Sequence, residues 1–100
     1  MEHPFRLHIG LFLQAAEVVD ERKLIGNPRD SQGTDWYEYV EQARQRIREA
    51  GIKYTIDSRA AIAGAKMVAQ LGYTCQQAAQ QTYLASLKPD QRRIVQGLAA

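Results

Sequence analysis

Three long polar side chains, Arg59, Lys66 and Gln70, interrupt a stretch that is otherwise small and apolar, "SRAAIAGAKMVAQL". At about 100° per residue they fall within about 40° of one another on a helix, so they make one polar stripe. Arg59 stands in the first turn, just behind Asp57-Ser58. Unpaired backbone N–H groups and the positive end of the helix dipole favour an anion there. A guanidinium adds a two-pronged grip on phosphate. The same stripe equally serves as the water-facing side of an amphipathic helix, and periodicity alone favours that plainer role.

Other reactive residues are sparse. Cys75 is the only cysteine and begins a predicted helix, a position that can lower a thiol pKa. No base is spaced to activate it, so a small apolar filler is the expected role. His3 and His8 lie five apart rather than at the four-residue helical spacing of a zinc pair, and no metal site is expected. Neither GxxxxGK[ST] nor GxGxxG occurs. "RQRIRE" and "QRR" offer cations to nucleic acid, but the acids between them dilute the field. "SLKPDQRRIVQGL" is faintly similar to the first helices of sigma-type helix-turn-helix domains, yet no recognition helix follows it, so nucleic acid is not an expected partner.

One hundred residues suit one domain with a single core. A hydrophobic fraction of 45% with 24% charged residues is that of an ordinary globular chain, and a net charge of +2 commits it to no polyanion or membrane. A single cysteine allows no internal disulfide, which fits a reducing cytoplasm. The apolar run Ile9–Leu13 is too short for a signal peptide or a membrane span, with Glu2 near the start and Gln14 closing it.

These residues need elements to place them. Residues 1–17 form an uncertain N-terminal segment: Leu7–Val19 is apolar, Gly10 weakens a helix, and a short strand near Leu11–Leu13 is an alternative. Glu17–Ile25 reads as helix. "GNPRDSQGT", Gly26–Thr34, is a loop. Trp36, Val40, Ala43, Ile47 and Ala50 mark the buried face of a helix, capped by Asp35 with Glu38 in capping-box position and stopped by Gly51. Its polar residues Glu41, Arg44, Gln45, Arg46, Arg48 and Glu49 are expected to face water. "IKYTI", 52–56, is a short extended linker. A small-residue helix then runs from about Arg59 to Leu71, capped by Asp57 or Ser58 and closed by Gly72, and it should sit centrally. Thr74 with Gln77 opens a helix to about Leu87, its glutamines exposed. Lys88-Pro89 opens the last helix, with Ile94, Val95 and Leu98 inward. The expected fold is all-α, a small bundle of four to five helices.

Ser58-Arg59-Ala60, Gly64-Ala65-Lys66, the Leu71-Gly72-Tyr73 turn, and Leu87 followed by Asp90-Gln91 occur in one order. In that order they resemble the C-terminal lid subdomain of AAA+ ATPases of the MoxR and cobaltochelatase-subunit type. Upstream, "VVDERKLIGN" is similar to the acidic stretch leading into that lid, with Val19 where an aromatic is usual. The resemblance covers about residues 18–98 and implies a helical lid-like domain over 18–100. It implies that Arg59 is the sensor 2 arginine that reaches the γ-phosphate of ATP, with Ser58 helping to cap the helix. Asp57-Ser58 stands where the family has Ser-Pro. No Walker A loop, Walker B acids or arginine-finger motif is present. ATP is therefore an expected ligand only alongside a catalytic core, and the isolated chain is not expected to hydrolyse it. The core, or another protein, is the expected partner. The alternative is a stand-alone helical interaction module, binding a protein through the Trp36–Ala50 helix or the glutamine face.

Overall fold

The computed structural model describes residues 21–98, and these form an all-α bundle. The expectations for residues 1–17, for a strand at Leu11–Leu13 and for His3 and His8 lie outside the described residues. Helix α1, as far as it is described, is 21–25. It is followed by α2 (Trp36–Ala50), α3 (Ser58–Leu71), α4 (Cys75–Gln81), a 3-10 turn (Leu84–Ser86) and α5 (Pro89–Val95). Among the described residues the only extended pairing is an isolated bridge between Arg29 and Asp35.

Asp30 organises the loop before α2. One of its oxygens accepts from the N–H groups of Gln32 and Thr34, and the other accepts from the N–H of Cys75 at 2.8 Å. The loop is thereby tied to the start of α4. Asp35 caps α2 by accepting from Tyr37 at 2.9 Å and Glu38 at 3.3 Å. Gly51, at φ 68°, ends the helix in the left-handed region. Trp36, Val40, Ala43 and Ile47 are buried as their spacing predicts. Ala50 is exposed instead, because the chain turns away at Gly51 and Ile56, 2% exposed, closes the core at that end.

α3 packs against both α2 and α4, but α2 likewise packs against α3 and α5. α3 also keeps an exposed side at Arg59, Lys66 and Gln70, so it is no more central than α2. The lack of bulk in α3 has a specific use. The Trp36 indole lies so close to Gly64 that an added Cβ would overlap Cζ2 and stand 2.7 Å from Cε2 and Cη2. Its Nε1–H donates to the carbonyl of Ala61 at 2.7 Å. Tyr39 stacks on the same indole and Tyr83 tilts against it, with centroids at 6.0 and 6.3 Å.

Thr74 and Gln77 form the predicted reciprocal cap, and Gln76, Gln77, Gln80 and Gln81 are exposed. The helix they open does not reach Leu87; it stops at Gln81. The Thr82 hydroxyl turns back onto the carbonyls of Ala78 (2.8 Å) and Ala79 (3.3 Å), and its backbone leaves the helical region. In α5 only Val95 of the expected stripe is buried; Ile94 is 45% and Leu98 55% exposed. The helix ends at Val95, and Gly97, at φ 75°, bends the chain so that Leu98 does not continue the helical face. The N–H groups of Gly97 and Leu98 donate to Ile94 and Arg93, a Schellman closure.

Candidate functional site

Arg44 stands about 40° round from Val40 on α2, at the margin of the buried stripe. From there its guanidinium reaches α1 and the linker 52–57. Nη1 and Nη2 donate to the two oxygens of Glu21 at 2.7 and 3.0 Å. Nε and Nη2 donate to the Ile56 carbonyl at 3.2 and 2.8 Å, and Nη1 also donates to Glu41 at 3.0 Å. Glu21, 7% exposed, is the one buried charged residue among those described. It accepts a further bond from the Ser58 hydroxyl at 2.6 Å. The Arg44 bonds hold the Glu21 carboxyl below its ordinary value; burial opposes this, and Ser58 reinforces it.

Two expectations are corrected by this network. Arg44 is not part of a solvated face, and neither is Arg46, whose guanidinium donates to the Val95 carbonyl at 3.2 Å. Ser58 does not cap α3. Asp57 does, accepting from Ala60 N–H at 2.8 Å, and Ser58 as first helical residue is left free to hold Glu21.

A cleft of about 690 Å³ opens beside the network, between α2 and the linker. Arg44, Arg48, Tyr37, Tyr54, Ser58 and Arg59 help to line it. The two site residues expected from sequence, Ser58 and Arg59, thus meet at one place. Lys66 and Gln70 are exposed further along α3 and are not among the cleft's walls. The carboxylates of the cleft are all engaged: Glu21 by Arg44 and Ser58, Glu41 by Arg44, and Asp57 by the Ala60 N–H. Arg48 and Arg59 are exposed, and their side chains make no hydrogen bond or ion pair among the described residues. Formal charge in the cleft balances, with Glu21, Glu41 and Asp57 against Arg44, Arg48 and Arg59. Arg48 and Arg59 are nevertheless the guanidiniums there with no acceptor among the described residues, and a guanidinium with open donors is suited to an anion.

Cys75 does not extend this chemistry. It is 1% exposed, and burial first, then the Asp30 carboxylate, push its thiol up to about 12. That is opposite in sign to the activation a helix start can give, and it makes the residue a core filler. No three His, Cys, Asp or Glu side chains converge as metal ligands among the described residues. No described helix is long and apolar enough to cross a membrane. Sequence reasoning missed Glu21, Arg44 and Arg48 as parts of the site. The available signal was geometric: Arg44 borders the buried stripe, so its stem must lie along the core even though its head is charged. No protein-family model, curated protein or solved structure matches the chain.

Proposed function

We propose that the chain is a helical lid (sensor 2) subdomain of an AAA+ ATPase, contributing to ATP binding when joined to a catalytic core. Arg59 is the residue that meets the γ-phosphate. The observation that supports this most is the setting of Arg59: exposed, with no side-chain partner among the described residues, in the first turn of a 14-residue helix and at the wall of a cleft in which Glu21 and Glu41 are already held by Arg44. Ser58 acts at one remove, fastening that first turn to Glu21. Magnesium binding and attack on the phosphate belong to the core, and the chain supplies a cation and the closing surface.

Joined to a related ATPase core that lacks its lid, the wild-type chain should restore nucleotide affinity. Arg59→Ala should restore it about tenfold less, the worth of one charge-assisted contact. Equal restoration by both, or ATP turnover by the isolated chain, overturns the proposal. An interaction module without nucleotide binding is the second reading, favoured by Leu24 and Leu71, 65% and 63% exposed. Such a module docks on its partner equally well with Arg or Ala at position 59.

A further inference from the structure

We infer that the cleft binds a polyphosphate group through two of its lining arginines, Arg59 and, as a second anion contact, Arg48. The inference rests on the lid reading above for Arg59, adds Arg48 to it, and goes beyond it in having the isolated chain bind the phosphate chain without a core. Arg48 comes from the last turn of α2 and Arg59 from the first turn of α3, so two elements present cations to one space.

Arg44 in the same cleft shows what a committed guanidinium looks like there, with Glu21, Glu41 and the Ile56 carbonyl as acceptors. Arg48 and Arg59 have no such acceptors among the described residues. The network between them is fixed by Arg44, which spans α1, α2 and the linker, and by Ser58, which anchors the residue next to Arg59. These two guanidiniums, without acceptors among the described residues, are thus mounted on helices of a braced frame rather than on a loop. A chain of phosphates carries charge over several ångströms, and the cleft, about 690 Å³, has room for it.

Calorimetric titration of the full 100-residue chain at low salt tests this, with tripolyphosphate, ATP and inorganic phosphate as probes. Tripolyphosphate and ATP should each bind saturably at one site, at least tenfold tighter than inorganic phosphate. Arg48→Gln and Arg59→Gln should each weaken tripolyphosphate about tenfold. Lys66→Gln, which removes an equal charge from the same helix outside the cleft, should leave affinity unchanged. ATP bound much more tightly than tripolyphosphate would assign the extra affinity to the nucleoside, with the arginine dependence still required. Wild-type affinity in Arg48→Gln together with a loss in Arg59→Gln overturns the inference and leaves the lid reading standing. Equal losses in all three variants, or no saturable binding, also overturn it, and the lid reading is then decided separately by the core-restoration experiment.

Discussion

Arg44 closes both terminal nitrogens on the carboxylate of Glu21, at 2.7 and 3.0 Å, with only 17% and 9% of the two side chains exposed. This pairing bridges 23 positions of sequence and joins α1 to α2. Removing one partner strands the other charge in a poorly solvated place. Arg44→Met should therefore lower unfolding stability by about 2–4 kcal/mol in a urea melt, against about 0.5 kcal/mol or less for the exposed Arg48→Met. The double variant Glu21→Met/Arg44→Met should lose less than the sum of its singles by about 1 kcal/mol or more. Additive losses would mean that the pair contributes no mutual stabilisation.

Gly64 is where α3 has to be bare. A methyl group there meets the Trp36 ring, which is fully buried and held by its bond to Ala61, by Tyr39 and by Tyr83. The ring has no free direction in which to retreat. Gly64→Ala should cost about 3 kcal/mol despite the better helix propensity of Ala, which taken alone favours the variant by about 1 kcal/mol. Ala69→Gly, at an exposed site on the same helix, should cost only that propensity difference. A stabilised Gly64→Ala protein would contradict the close packing of α2 on α3.

Acid should loosen the bundle through two carboxyls. Glu21 lies below its ordinary value of 4.5 because of Arg44, with burial opposing. For Asp30, burial raises the carboxyl, but the N–H groups of Cys75, Thr34 and Gln32 together leave it below 3.8. A carboxyl whose folded pKa is depressed binds protons more readily in the unfolded chain. Its stabilisation is complete above the unfolded value and disappears as pH falls through the folded one. Stability should thus be flat from neutrality to about pH 5 and fall steeply below about pH 4. Glu21→Gln should be less stable than wild type at pH 7 and lose less on acidification. A parallel pH profile for the two proteins would remove Glu21 from the cause.

The local signals of the fold were legible because they depend on neighbours in sequence. Asp35 and Gly51 bracket α2, Thr74 and Gln77 open α4, and Pro89 starts α5, each through contacts within about one turn. What could not be read depends on distant partners. A charge pair such as Glu21–Arg44 leaves no periodic trace, so Arg44 resembled any other solvent-facing arginine. The exposure of Ile94 and Leu98 follows from a helix only seven residues long, in which an apolar stripe has too few turns to fix its direction. The break at Thr82 turns on which carbonyls its hydroxyl finds, a matter of rotamer rather than of pattern. At the candidate site, periodicity left Arg59 level with Lys66 and Gln70, and only the resemblance of Ser58-Arg59-Ala60 to a lid motif singled it out. Arg48 was not legible, because nothing near it in sequence marks the cleft it enters.

Cys75 provides a reporter of how tightly the loop and α4 are joined. Its thiol is buried, sits near the Asp30 carboxylate and titrates near 12, so at pH 8 the thiolate fraction is about a thousandfold below that of an ordinary cysteine with pKa 9.0. A thiol-specific reagent should react with the native protein only through opening of the structure. The rate should rise with urea well before global unfolding if the loop opens first, and one equivalent should be released on full denaturation. Asp30→Asn removes the nearby negative charge and weakens the tether to the Cys75 N–H, and both changes act to increase the rate. Rapid modification of the native wild-type protein at pH 8 would show that Cys75 is accessible and ionised, contrary to its position in the core.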